Sequence, residues 1–230
     1  NHTSGLPRLP DNLEKVKGYS TNDPYKSYDK KALYSYLATF KNKKSPGEEY
    51  EYSNLGYAVL GDIICDIYKK SYDQIVKDII CKPLDMNNTF QVLDPKRKDT
   101  FKVYNKDGQE VPSWSFDAFS AAGGLKSSLE DLLKFANAQF KMPQTPLENA
   151  MANTRLFTFF LPPDTDLGLA WHMNLLDDLT VYWHNGGTAG SSSYLALCPD
   201  KKSAVVILSN SAISVDDKGK AILDYLLHTQ

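Results

Sequence analysis

Two short stretches of this chain hold residue types that could do chemistry together. The first is Trp183-His184-Asn185-Gly186-Gly187-Thr188-Ala189-Gly190, where an aromatic strand runs into a glycine-dense turn. Glycine lets a backbone approach a ligand closely and present bare N–H groups to it. A strand edge of that kind beside one imidazole suits a wall that binds a carbonyl or an oxyanion. The same residues also suit a hairpin whose glycines only make the turn. The second stretch is Glu49-Tyr50-Glu51-Tyr52-Ser53-Asn54, just before a helix for which Ser53 is the natural N-cap.

Tyr52 there could serve as a base, or it could be a core tyrosine beside a cap. A phenol titrates near 10, so service near neutral pH needs a shift of about three units, roughly 4 kcal/mol. A helix dipole supplies about 1 kcal/mol. A neighbouring cation is therefore required, and a lysine or a protonated histidine is expected.

Elements must position these residues. Helices are predicted over 29–41, from Ser53 through Ile67, and from a Ser71–Gln74 capping box to about Cys81. A fourth begins at a Ser127–Glu130 capping box and carries Leu129, Leu132, Leu133, Phe135 and Ala136 on its core face, and a last one spans 215–227. Residues 85–126 read as a long connection with a hairpin from Phe101 to Tyr104 that turns at Asp107-Gly108. Strands are predicted at 167–173, 179–184, 193–197 and 204–209, with links short enough for antiparallel pairing. The fold class is α+β: an antiparallel sheet packed by a C-terminal helix, with an α-rich insert. The division is a mostly helical part over 1–126 and a sheet part over 127–230.

Composition excludes several classes. The net charge is −2 and the pI about 6.1, so no basic surface points to nucleic acid. No apolar run reaches the roughly 18 residues of a membrane span. Cys65, Cys81 and Cys198 are too widely spaced for a zinc site or a disulfide framework, and they read as buried free thiols. No metal site or cofactor is expected.

Four blocks occur in order along the chain: His2-Thr3-Ser4-Gly5-Leu6-Pro7, Tyr52-Ser53-Asn54, Ala121-Ala122-Gly123-Gly124-Leu125-Lys126-Ser127-Ser128, and His184-Asn185-Gly186-Gly187. Together they resemble the serine β-lactamase and penicillin-binding-protein superfamily, in the branch of class C β-lactamases, D-stereospecific peptidases and esterases. The resemblance implies that Tyr52 is the catalytic tyrosine that shares the role of general base with a lysine. It makes Asn54 the asparagine that bonds substrate amides or that lysine. It places His184 first on the cleft strand, with Asn185 and Gly186 in the same substrate-binding element. Gly187 becomes the backbone donor of the oxyanion hole, whose loss typically costs roughly 10²–10³ in rate.

Two departures matter. A lysine often stands where His184 does, and an imidazole is neutral for much of the time near pH 7. That favours a peptidase or esterase over an efficient β-lactamase. The nucleophile is the second departure, because the family's Ser-x-x-Lys lies upstream of the His-Thr-Ser-Gly-Leu block, which starts here at residue 2. The chain's own Ser27–Lys30 follows that block, and 19 serines among 230 residues make about two such pairs by chance. The chain also begins at Asn1 rather than methionine. The expectation is a chain without its N-terminal segment, whose serine acts on amide or ester bonds of a small-molecule or peptide substrate through an acyl-enzyme. An N-terminal fragment or second chain would complete an otherwise unpaired sheet edge. The alternative is a non-catalytic binder of peptides or cell-wall fragments. The resemblance also implies a bacterial periplasm, cell envelope or secreted location.

Overall fold

A computed structural model of the chain describes residues 1–94, 96–97 and 100–229. Helices come first: α1 at Lys30–Leu37, α2 at Asn54–Tyr68 and α3 at Tyr72–Val76. Each starts where a short polar side chain binds a free backbone N–H. Asp29 accepts from Ala32, Ser53 from Gly56, and Ser71 forms the expected box with Gln74. Beyond Val76 the third helix widens into a π-helical turn, Lys77–Cys81, closed by Lys82 N–H donating to the Lys77 carbonyl at 2.9 Å.

The connection that follows holds a two-stranded hairpin, β1 at Val103–Tyr104 and β2 at Glu110–Val111. Asn105 Oδ1 accepts from the backbone of Asp107 and Gln109, and Gly108 takes φ 77°, so the turn closes on local bonds alone. A short helix α4, Ser120–Gly123, leads to α5 at Leu129–Ala138. Its cap is Ser128, which accepts from Asp131, rather than the expected Ser127. Ser127 is engaged with Thr89, hydroxyl to hydroxyl at 2.7 Å, and Asp131 is drawn inward to bind Asn88 N–H and Thr89. Helix α6, Pro146–Thr154, lies where the sequence predicts no element and begins with a Thr145–Glu148 capping box.

The sheet has six antiparallel strands in sequence order: β3 Phe159–Leu161, β4 Thr165–Leu167, β5 His172–Leu176, β6 Leu179–Gly187, β7 Ser192–Cys198 and β8 Ser203–Ser209. The strand expected at 167–173 is two strands, because the chain turns between them with Ala170 at φ 72°. Helix α7, Asp216–His228, covers one sheet face, where Val181, Tyr194, Ala196, Val205, Leu223 and Leu227 form a core. The other face packs Tyr182, Leu195 and Leu197 on Ala136 of α5. A separate core around Tyr28, Leu33, Leu55 and Phe119 fixes α1 and α2. The architecture is the expected α+β arrangement. The outer edge of β8 has no partner strand among the described residues. Among the same residues no helix is long and apolar enough to cross a membrane.

Candidate active site

The segment leading into α2 and the far end of β6 meet at one place. His2, buried in the loop that opens the chain, organises the α2 side. Its backbone takes φ 61°, its carbonyl accepts from Glu51 N–H at 2.8 Å, and its Nδ1 accepts from Ser53 N–H at 2.9 Å. Accepting at Nδ1 places the proton of the neutral ring on Nε2. The ring stacks on Tyr52 with centroids 4.0 Å apart. Ser53 Oγ then donates to the Pro7 carbonyl at 2.7 Å, and Leu55 N–H donates to the Arg8 carbonyl at 3.2 Å. The His2–Arg8 loop and the Tyr52-Ser53-Asn54 segment thus hold one another, and both belong to blocks singled out from sequence.

On the opposite side, register creates an open strand edge. His172, the first residue of β5, pairs with Trp183, so His184–Gly187 run past β5 and pair only with β7. On the β5 side the Gly187 backbone has no strand partner, while the Asn185 carbonyl is engaged by His184 Nδ1 at 2.6 Å. A methyl group built on Gly187 would meet nothing within 4 Å, which places open space over that residue. His184 lies on this overhang with its ring 6.4 Å from Tyr52 and 5.4 Å from His172.

The structure therefore brings Tyr52 and His184 together, with Gly186 and Gly187 following His184 on the same overhang and Asn54 the first residue of α2. The Asn54 amide donates to Tyr25 Oη at 3.4 Å. Asn185 differs: its amide donates to Asp216 at 2.7 Å, at the start of α7, so only its backbone faces the strand edge. Strand alternation explains the difference, since His184 and Asn185 must point to opposite faces. Ser27 and Lys30 do not form a catalytic pair. Ser27 donates to the Gly18 carbonyl, and Lys30 bonds Asp62 and Asp66.

Three residues of this site were missed from sequence: His2 and Arg8, which lie in or beside a quoted block but were given no role, and His172. His172 stacks on Trp183 at 4.6 Å, and its buried Nδ1 has no hydrogen-bond partner. A single imidazole at the head of a short strand carries no pattern that marks it.

The electrostatics are those of a neutral site. Burial pushes His2 down to about 4, with His184 and His172 adding to the effect. Burial, helped by His184, also pushes His172 down to about 4, and burial lowers His184. Burial raises the Tyr52 phenol, and the positive charge of Arg8 opposes it. The cation expected beside Tyr52 was a lysine or a protonated histidine. Among the described residues it is Arg8, with its guanidinium 4.9 Å from the ring centre. The imidazoles stay neutral because protonating one beside the others in a buried cleft costs too much.

No group of three or more metal-ligating side chains occurs among the described residues. A cavity of about 710 Å³ lies elsewhere, between the sheet and α7, lined by Asn174, Trp183, Tyr194 and Lys220. It contains none of Tyr52, His184 or Gly187. The cysteines are free; Cys81 and Cys198 are buried as expected, and Cys65 is partly exposed.

The profile of the family described as Beta-lactamase matches residues 1–229. The chain belongs to the Beta-lactamase family. Among its relatives is the unguisins hydrolase ungD' of Aspergillus campestris, 28% identical over 79% of this chain and 37% of that protein. Protein flp of Staphylococcus aureus is 30% identical over 72% of this chain and 34% of its own length. The D-alanyl-D-alanine-carboxypeptidase/endopeptidase AmpH of Escherichia coli is 25% identical over 93% of this chain and 57% of its own. The chain thus spans between a third and three fifths of these relatives. Two solved structures share the fold. The β-lactamase/D-alanine carboxypeptidase from Pseudomonas syringae gives a TM-score of 0.84 at 20% identity, over 100% of this chain and 70% of that one. The octameric penicillin-binding protein homologue from Pyrococcus abyssi gives 0.81 at 24% identity, over 99% and 54%.

Proposed function

We propose that this chain carries the base and oxyanion side of a serine hydrolase that cleaves amide or ester bonds through an acyl-enzyme. The observation that carries the reading is the meeting of Tyr52 with the overhanging end of β6, where His184 faces it across 6.4 Å. In this reading Tyr52, working with a lysine, takes the proton of the attacking serine and returns it to the leaving group. Gly187 N–H stabilises the developing oxyanion, and Asn54 orients the substrate amide. An extended substrate pairs with the open edge at Gly187, and pairing with the Asn185 carbonyl requires the His184 ring to release it.

The nucleophile and its lysine are assigned to polypeptide outside residues 1–230, and the unpaired edge of β8 is where added strands, from that segment or from another chain, would dock. The family relation and a relative named as a D-alanyl-D-alanine-carboxypeptidase/endopeptidase support a peptide substrate and a bacterial envelope or secreted location. The neutral His184 supports a peptidase or esterase whose substrate has no carboxylate beside the scissile bond over an efficient β-lactamase, because such a carboxylate finds no permanent charge there.

The test is hydrolysis of a D-alanyl-D-alanine peptide and of an activated ester by the polypeptide with its natural flanking sequence. Turnover of either, lost in the Tyr52→Phe variant, agrees with the proposal. Tight peptide binding without any turnover would favour a non-catalytic binder in the same cleft.

A further inference from the structure

Tyr52 is enclosed by groups that carry no permanent charge, with one exception. His2 stacks on its ring at 4.0 Å and His184 lies 6.4 Å away, both neutral for the reasons given above. Tyr25, Tyr50 and Tyr57 are the other titratable groups near it. Arg8 is the exception. Its guanidinium carbon sits 4.9 Å from the ring centroid, the side chain is exposed, and it makes no ion pair among the described residues. A guanidinium keeps its charge at any pH the protein meets.

The placement is built into the backbone. Pro7 and Arg8 offer successive carbonyls to Ser53 Oγ and Leu55 N–H, the residues that follow Tyr52 on the way into α2. These bonds fix the Arg8 backbone beside Tyr52, so that the side chain starts within reach of the ring, and the guanidinium itself is held by its contact with the π face.

We propose that Arg8 is a positioning residue for Tyr52: its guanidinium, held over the ring, orients the phenol in the cleft and stabilises its ionised form. The attraction of a cation for a π face holds the neutral phenol, and the Coulomb term strengthens once the oxygen is negative. Arg8 thereby supplies charge that neither His2 nor His184 can, since both resist protonation. The inference rests on Tyr52 acting as the base, and its test does not depend on turnover.

The experiment is a titration of Tyr52 in the polypeptide with its natural flanking sequence, with ¹³C at the tyrosine Cζ, the signal being assigned by its loss in Tyr52→Phe. In Arg8→Ala the midpoint of Tyr52 is expected to rise by about one pH unit; Tyr50, which the same charge lowers, is expected to rise with it, and the remaining tyrosines to stay unmoved. Arg8→Lys keeps a charge at the same place and is expected to recover about half of that rise or more. An unchanged midpoint in Arg8→Ala, with the remaining resonances showing an intact fold, overturns the proposal. So does a rise that Arg8→Lys fails to reverse, because charge would then not be its cause. If Arg8→Ala shifts the titration but Tyr52→Phe leaves hydrolysis by the flanked polypeptide unchanged, the Arg8–Tyr52 coupling stands and the base assignment falls.

Discussion

The rings of Tyr52 and His184 lie 6.4 Å apart, tilted by 41°, although one precedes helix α2 and the other sits on strand β6. That contact joins the helical part of the chain to the sheet. Everything proposed for the site depends on it.

Replacing Tyr52 by Phe keeps the ring that stacks on His2 and lies under Arg8, so thermal stability should change little. The hydroxyl alone is lost. In the flanked polypeptide kcat is expected to fall by about 10²–10⁴ with KM nearly constant, as removal of a general base does. Steady-state kinetics on an ester substrate checks this, and an unchanged kcat would remove Tyr52 from the mechanism.

Stability should depend on pH through the buried imidazoles. His2 and His172 titrate near 4 in the folded chain against 6.5 unfolded, so between those values the unfolded state binds more protons. Their contribution is complete above about 6.5 and is lost as pH falls toward 4. Thermal midpoints between pH 7 and pH 4 measure the decline, which His172→Asn should make shallower. A profile equally steep in that variant would exclude His172 as a source.

His184→Lys puts a permanent charge on the open strand edge. Substrates with a carboxylate near the scissile bond should show a KM lower by up to about fivefold, while neutral esters show no gain. Equal effects on both substrate types would mean that position 184 does not read charge.

Gly219 of α7 lies against the Tyr194 ring so closely that a methyl group there would overlap it. Gly219→Ala should therefore destabilise the chain by about 1–3 kcal/mol, even though alanine is the better helix former. Urea unfolding measures it, and a neutral or stabilising result would show that α7 can move off the sheet without cost.

Local signals were legible in the sequence and distant ones were not. Ser53 and Ser71 cap their helices because the bonded N–H groups lie within three residues, and the hairpin at Gly108 closes on its own loop. The start of α5 was misjudged by one position, since Ser127–Glu130 and Ser128–Asp131 satisfy the same local rule. The choice between them is made by Asn88 and Thr89, which bind Asp131 from far along the chain. Helix α6 carries a plain Thr145–Glu148 box but no apolar stripe that marks it in the sequence, since Met151 is its one buried residue. In the site, the blocks containing Tyr52 and His184 could be read from residue types and order. The neutrality of His184 and the approach of Arg8 to Tyr52 could not, because each is set by packing between segments far apart in sequence, whereas the outward turn of the Asn185 side chain follows from strand alternation once β6 is extended past His184.

The central claim, that this cleft completes an acylating serine site, is tested most directly by covalent trapping. The polypeptide with its natural flanking sequence would be treated with a fluorophosphonate and the adduct located by peptide mapping. The account predicts one adduct per molecule, on a serine outside residues 1–230, formed far more slowly in Tyr52→Phe. No adduct, or one on a serine within this chain such as Ser27 or Ser192, would contradict it.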